Sequence, residues 1–431
     1  MNLRSVFRLA GVLLPIGILT AALVDLRPWR PIEPRIRTDH QAVGAIRAGA
    51  GKAPVDLPRG IPLAGYRPFG RPAGGPNETT YARTLLLESG GVRTGIVLLE
   101  LMTMPASLSD RIARRLRSEG IECALVAATH SHSGPGAYDR AFVPQAVAVG
   151  RFDPAVETAL VDAVHASLMA AMGELSGAIL RAGEERVRIA VNRDREGEPV
   201  DDRLTRVEVL REDGTPIATI LRASAHPTIA PRQGLSGDWP GVVMRGLEEE
   251  GGIGFVLQGA SGDAKVEGER EVASFAARVL AAARGVEPGR IDEPPGLGCR
   301  MAEFGLPPPD LSAMVPRPFS RLLSNLAVPF APRTSRVVEL RLGSLTLLGV
   351  PAEPTAAVGR RLEDVPGRTV RTVGLVGDYA GYAVEPADME DRVFSARNAW
   401  FGAELAERLE RVRERLLEPA TDRRRPEASA P

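Results

Sequence analysis

The chain is 431 residues long, 44% hydrophobic and 25% charged, proportions that exclude intrinsic disorder and a polytopic membrane protein. Its 54 basic and 54 acidic residues cancel, which argues against a nucleic-acid partner, since that needs a concentrated basic surface. The length can bury a sizeable core in one large domain or two.

In chain order, Arg4 and Arg8 precede an apolar run from Leu9 to Val24, closed by Asp25 and Arg27. Charge followed by an apolar stretch is the form of a secretory signal or a short membrane anchor. No small-x-small cleavage site follows, and Trp29 suits a membrane interface. Residues 1–30 therefore read as an anchor in preference to a cleaved signal. The rest of the protein is then expected on the periplasmic or extracellular side, membrane-anchored or secreted. Pro28 to Pro34 reads as an extended linker, residues 43–418 as one continuous globular domain, and residues 419–431 as a polar tail with nothing to bury.

Short apolar runs predict strands at Gly95 to Glu100, Cys123 to Ala128, Val207 to Arg211, Ile217 to Ala223, Gly254 to Gln258, Leu345 to Val350 and Thr372 to Val376. Helical patterns cover Ser107 to Glu119, Pro154 to Glu174, Pro240 to Glu249, Glu271 to Ala283, Pro354 to Asp364 and Ser395 to Leu417, with prolines 154, 240 and 354 where a first turn tolerates them. This alternation reads as α/β, with mixed β-sheets flanked by helices. Between Glu293 and Arg333 the chain is proline-rich, with Phe304, Phe319 and Phe330 scattered through it. It reads equally as a lid or binding loop and as a surface excursion. The two cysteines, Cys123 and Cys299, could pair in an oxidising compartment, but Cys123 in its apolar strand reads better as a small core residue.

The strongest chemical signal is Ala-Ala-Thr-His-Ser-His-Ser-Gly-Pro-Gly, carrying His130 and His132 just past a predicted strand. Residues two apart on an extended segment face the same side, so both imidazoles can reach one site. His226 in Ala-Ser-Ala-His-Pro-Thr, Glu353 in Val-Pro-Ala-Glu-Pro-Thr, Asp263 in Ser-Gly-Asp-Ala-Lys, and Tyr379 with Tyr382 also follow predicted strands. Ligands collect at the carboxyl ends of strands in α/β sheets. Two neutral imidazoles, a carboxylate and a phenolate oxygen suit zinc, leaving one position for water or substrate. Of the remaining histidines, His165 lies among Val161, Val164, Leu168 and Met169 and reads as core, and His40 carries no signal.

In this order the segments resemble the catalytic domain of the neutral (non-lysosomal) ceramidase family. The likeness begins at Ala48-Gly-Ala-Gly-Lys-Ala-Pro-Val-Asp and Gly60-Ile-Pro-Leu-Ala-Gly-Tyr66, continues through Thr129-His-Ser-His-Ser-Gly-Pro-Gly136, Asn192-Arg193, His226-Pro-Thr, Ser236-Gly-Asp238 and Gly262-Asp263, and ends at Glu353-Pro-Thr and Tyr382. The resemblance implies zinc held by His130, His226, Glu353 and Tyr382, with His132 and Arg193 contacting the scissile amide or its oxyanion. Asp238 is expected to orient a metal histidine.

This chain departs from the family in three places. Where lipid-cleaving members carry a nucleophilic serine after the Gly-Asp pair, this chain has Lys265. Phe394 stands where a further tyrosine is expected, and the sequence given stops before a C-terminal β-sandwich domain. Asp263 and Lys265 stand as further catalytic candidates: Lys265 could join His132 and Arg193 in stabilising the oxyanion, although an ion pair with Asp263 or Glu267 is the more common arrangement. Hydrolysis survives loss of the serine in principle, because zinc polarises the carbonyl and lowers the pKa of its bound water. The expected activity is zinc-dependent hydrolysis of the amide of an N-acyl lipid such as ceramide, or of a related small-molecule amide, with no protein partner. The alternative is a non-catalytic, zinc-stabilised protein of the same fold that binds lipid or an envelope partner.

Overall fold

The computed structural model describes residues 29–418 apart from 66–67, 76, 231–233, 269–270, 292–295 and 317–318. The expected anchor and tail thus lie almost wholly outside the described residues. In chain order the first half forms β1 (Arg35–Val43), β2 (Ile46–Pro54), β3 (Tyr81–Ser89), β4 (Val92–Leu99), α1 (Ala106–Ser118), β5 (Leu125–Ala128), α2 (Pro154–Gly173), β6 (Ser176–Arg186), β7 (Ala190–Asn192), β8 (Arg203–Arg211) and β9 (Pro216–Ala223). It continues with α3 (Asp238–Glu248), β10 (Ile253–Gln258), β11 (Ala264–Val266), α4 (Val272–Gly285), β12 (Gly296–Gly305), β13 (Thr334–Leu342) and β14 (Leu345–Gly349). The last elements that matter here are β15 (Glu353–Pro354), α5 (Ala356–Glu363), β16 (Thr369–Val373), β17 (Tyr382–Ala383) and α6 (Glu404–Leu417).

A nine-stranded mixed sheet runs in the order β10-β9-β8-β6-β2-β3-β4-β5, its ninth member being the short strand Gly289–Arg290 paired with β6. A five-stranded sheet runs in the order β1-β12-β13-β14-β16. The two pack face to face. Leu85, Leu87, Ile96 and Leu98 of the large sheet share one core with Leu340, Leu342 and Leu347 of the small one. The alternate residues face outward under helices. Leu86, Val97 and Leu99 meet Leu108 and Ile112 of α1 and Leu160 and Leu168 of α2, while Val337, Leu348 and Val370 meet Val358, Leu362, Leu405 and Leu409 of α5 and α6. Strands buried on both faces read as continuous apolar runs, which is why β4 and β14 were visible in the sequence, whereas β3 and β13, with Arg83 and Glu339 buried among their apolar residues, were not.

The Ala-Gly-Ala-Gly stretch of β2 serves this packing. A Cβ on Gly49 or Gly51 would lie 2.0 Å or 2.1 Å from the carbonyls of Ala171 and Ser167, so α2 can lie on the strand only over glycine. Helix α2 starts as expected, with Pro154 in its first turn and the Asp153 side chain accepting from Ala155 N–H. Lys52, at the end of the same stretch, pairs with Glu248 at 2.5 Å.

Four expectations need correction. Cys123 and Cys299 form a disulfide (Cα–Cα 5.8 Å) that ties the edge of the large sheet to β12, so Cys123 is both buried and bonded. The proline-rich stretch contains β12 and a helix, Phe319–Ala327, and Phe304 is a core residue. The helix expected from Ser395 begins only at Glu404, since Gly402 with φ 62° interrupts it. His165 is only half-buried and lies against Arg115 on the surface of α2.

Candidate metal centre

The carboxyl ends of the strands converge where the segment after β16 wedges between β10 and β5. Gly374 N–H donates to Gln258 O (2.9 Å), Ala128 N–H to Leu375 O (3.2 Å) and Gly377 N–H to Val126 O (2.9 Å). Thr129–Gly136 leaves β5, His226 follows β9, Ser261–Asp263 follows β10, and β15 pairs in parallel with β17, setting Glu353 beside Tyr382. Separate chain segments thus deliver side chains to one point.

His130 and His132 do not reach it from an extended strand. His130 has φ 70°, the left-handed region that a non-glycine residue enters at a cost, and the chain turns over Ser131–Ser133. The turn brings His132 Nε2 to 3.3 Å from His130 Nε2. Gly65 makes room for it, since a Cβ there would lie 3.0 Å from His132 Nδ1. Arg71 donates to the His132 carbonyl at 2.9 Å.

Both metal-candidate imidazoles are fixed by backbone carbonyls. His130 Nδ1–H donates to Met102 O (2.7 Å) and His226 Nδ1–H to Ser261 O (2.8 Å). Each Nε2 then carries a lone pair. These two atoms lie 3.1 Å apart, and Glu353 Oε2 lies 2.9 Å from one and 3.0 Å from the other. Glu353 Oε2 is buried and no hydrogen-bond donor satisfies it among the described residues. Three electron-rich atoms at such separations repel unless a cation sits among them. A tetrahedral ion with ligands at about 2.0–2.1 Å sets its ligand atoms about 3.3 Å apart, close to the spacing found. Tyr382 Oη, 3.0 Å from His226 Nε2, supplies a fourth ligand atom. The residues present therefore fit a metal ion. The ligand atoms of His130, His132 and His226 also all lie within 4.8 Å of one another.

The electrostatics follow. Burial holds His226 down to about 4 and His132 well below the usual imidazole range, with neighbouring cationic groups acting in the same direction. Burial disfavours charge on Glu353, but positive charge at His130 and His226, where a bound cation would sit, outweighs it and holds the carboxyl well below its ordinary range. Burial, followed by the Glu353 charge, pushes Tyr379 and Tyr382 well above the usual phenol range.

Arg193 reaches the same point from the turn after β7, donating to Tyr382 Oη (2.9 Å) and to Gly262 O, under the ring of Phe394 at 4.3 Å. His132 and Arg193 are only partly buried, so they lie on the open side of the cluster. The other two expected site residues lie elsewhere. Asp263 accepts from Asn192 Nδ2 (3.1 Å) and from Ala356 N–H at the start of α5 (2.9 Å), and its carbonyl accepts from Arg193 N–H (2.8 Å). Burial raises its pKa to about 6. It holds the turn carrying Arg193 and does not face the cluster. Lys265 is exposed, on the face of β11 opposite the buried Ala264 and Val266. The expected ion pair is replaced: Glu267 binds Arg188 at 2.8 Å. Asp238 accepts from Ala230 N–H and Trp239 N–H and orients no histidine. Sequence reasoning gave Tyr379 no role of its own, yet its hydroxyl donates to Glu353 Oε1 at 2.6 Å. Its place three residues before Tyr382 was the available signal.

This arrangement defines a mixed α/β fold with a buried His, Glu and Tyr cluster at the strand ends, and it is the fold of the neutral ceramidases. The neutral ceramidase from Pseudomonas aeruginosa superposes with a TM-score of 0.73 at 19% identity, over 87% of this chain and 76% of that one. A structure described as a ceramidase complexed with C2 gives 0.73 at 18% identity over the same shares. In sequence, residues 47–198 match the family described as neutral/alkaline non-lysosomal ceramidase, N-terminal. No curated protein matches significantly by sequence. The resemblance to the neutral ceramidases thus holds in sequence and in fold.

Proposed function

We propose that this chain is a zinc-dependent hydrolase that cleaves the amide of an N-acyl lipid. The carrying observation is the unsatisfied Glu353 Oε2 facing two imidazole lone pairs, with a part-exposed histidine and arginine on the open side. His130, His226, Glu353 and Tyr382 would hold the ion. When bound, zinc would supply Lewis-acid polarisation of the carbonyl and an acidified water. The guanidinium of Arg193, held by Tyr382 and Gly262 O, aims positive charge where the carbonyl oxygen becomes negative, worth about 3 kcal/mol for a well-placed donor. His132 Nε2 stands on the same open side and can take a proton and return it to the leaving nitrogen.

An N-acyl substrate is supported by the ceramidase fold and by the related structure described as complexed with C2. Placement outside the cytoplasm is supported by the Cys123–Cys299 disulfide, a bond that persists in oxidising compartments, together with the Leu9–Val24 apolar run as a membrane anchor.

A non-catalytic lipid-binding protein is the second reading, favoured by one observation. Lys265, at the place of the family's nucleophile, is exposed and away from the cluster. Zinc content and N-acyl sphingosine turnover of the purified full chain, beside His130→Ala and Glu353→Ala, decide between them. Near-stoichiometric zinc lost in both variants, with turnover, is the expected result. Zinc without turnover selects the binding protein, and folded wild type without zinc sinks the site assignment.

A further inference from the structure

We propose that the helix Phe319–Ala327 is a membrane-docking face that seats the domain on an anionic bilayer. The helix is amphipathic in the wrong sense for a soluble surface. Ser320 and Ser324 are buried against the protein, and Leu311 N–H donates to Ser324 Oγ at 3.0 Å. Its apolar side chains point outward: Phe319 is 63% exposed, Leu323 39% and Leu326 57%, followed by Phe330 at 67%. Positions 319, 323 and 326 are spaced by four and three residues, which is one helical stripe, and Phe330 follows in the 3-10 turn Val328–Phe330. Exposed contiguous apolar surface of this kind marks an interaction site.

Two observations select a bilayer as the occupant. First, the excursion from residue 307 to residue 332 leaves and returns where Leu306 N–H donates to Arg333 O (3.0 Å). Trp29 attaches at that same point, its indole N–H donating to Leu306 O (2.6 Å) with Arg333 over its ring at 4.0 Å. The 28 residues before Trp29 carry the Leu9–Val24 apolar run, so the tether enters the domain at the root of the exposed helix. Second, from Leu311 to Val338 the sequence has four arginines and no acidic residue; Arg336 is neutralised by Asp110 at 2.6 Å, while Arg317 and Arg321 flank the start of the stripe in sequence. An apolar stripe within a purely basic segment suits anionic headgroups over acyl chains. The excursion that carries the face also touches the segment beside the site. Arg392 donates to the carbonyls of Ser312 (2.6 Å) and Val315 (2.7 Å), two residues before the half-exposed Phe394 that covers Arg193. Docking would hold whichever bond the site cleaves.

The test uses the full chain in vesicles of phosphatidylcholine with phosphatidylglycerol. Leu323→Cys and Leu326→Cys each carry an environment-sensitive thiol label, which reacts there alone because Cys123 and Cys299 are buried in a disulfide. Met169→Cys, exposed on the helix Pro154–Gly173, is the control. Nitroxide-bearing lipids should remove roughly half the emission at 323 and 326 and leave 169 unchanged, as burial at the headgroup boundary requires. Adding Phe319→Glu and Phe330→Glu should abolish the quenching while the chain still sediments with the vesicles through its anchor. Vesicle-bound protein with unquenched labels at 323 and 326 would overturn the proposal. So would a blue shift without quenching, which would mean that the N-terminal run or a second copy covers the stripe. Zinc content and turnover measured on the same vesicles are separate readouts, so a docked but inactive protein counts against the hydrolase and for the docking face.

Discussion

Tyr379→Phe removes one hydroxyl and keeps the ring that packs edge-on against Trp400, at 5.6 Å between centroids. The lost bond is to Glu353 Oε1 at 2.6 Å, inside a buried carboxylate whose other oxygen faces His130 and His226. A hydrogen bond to a charged group contributes about 1.5–3 kcal/mol. Removing a group that orients a metal ligand weakens metal binding about 10–100-fold, which is about 1.4–2.8 kcal/mol. The two estimates agree, so Tyr379→Phe should weaken zinc binding by one to two decades without unfolding the protein. Competition against a chromophoric chelator measures this on the full chain, with Glu353→Gln as the variant that loses the ligand charge. Unchanged near-ultraviolet circular dichroism shows that the fold is kept. An affinity within about twofold of wild type would refute the reasoning, since Glu353 would then be oriented without Tyr379 or would hold no ion.

The exposed position of Lys265 predicts that Lys265→Ala leaves zinc affinity and turnover within about twofold of wild type, measured in the same assays. Arg193→Ala should lower kcat/KM on the N-acyl substrate about 10²–10³-fold with zinc retained, read by steady-state kinetics beside metal analysis. The disulfide closes a loop of 176 residues, for which chain entropy gives up to about 5 kcal/mol. Cys123→Ala with Cys299→Ala should therefore lower the denaturant midpoint clearly, and native wild type should show no titratable thiol. Asp139, whose pKa burial raises to about 6 from 3.8, keeps a proton that the unfolded chain releases. Stability from this group is full below about pH 4 and falls by about 3 kcal/mol as pH rises through 6. Asp139→Asn should flatten that slope in denaturation curves taken between pH 4 and pH 7.

The sequence revealed β4, β9, β10 and β14 through their apolar runs but not β3 and β13, which are as deeply buried and carry arginines and glutamates among their leucines and valines. It hid β1 and β6, whose half-exposed alternation with arginines and glutamates resembles surface loop. The histidines were legible through the turn chemistry around them. The route by which they converge was not, since it depends on the left-handed backbone at His130 and on carbonyls from Met102 and Ser261 that carry no sequence signal. Lys265 was misjudged because distance along the chain from Asp263 says nothing about which face of a short strand a side chain takes. Ala264 and Val266 beside it are buried, and strand alternation alone would have put Lys265 outside.

A purely structural metal site needs no groups beyond its ligands and those that orient them. Here the buried half of the cluster is closed: carbonyls fix both imidazoles, Tyr379 fixes the carboxylate, and Asp263 ties β7 to the start of α5 behind them. On the other half stand His132 and Arg193, partly exposed, the first held through its carbonyl by Arg71 and the second by Tyr382 Oη, Gly262 O and the ring of Phe394. Keeping a guanidinium beside a cation costs electrostatic repulsion that a structural ion would gain nothing from. The cost is understandable if negative charge develops on that side during turnover, because only then does the guanidinium face an opposite charge.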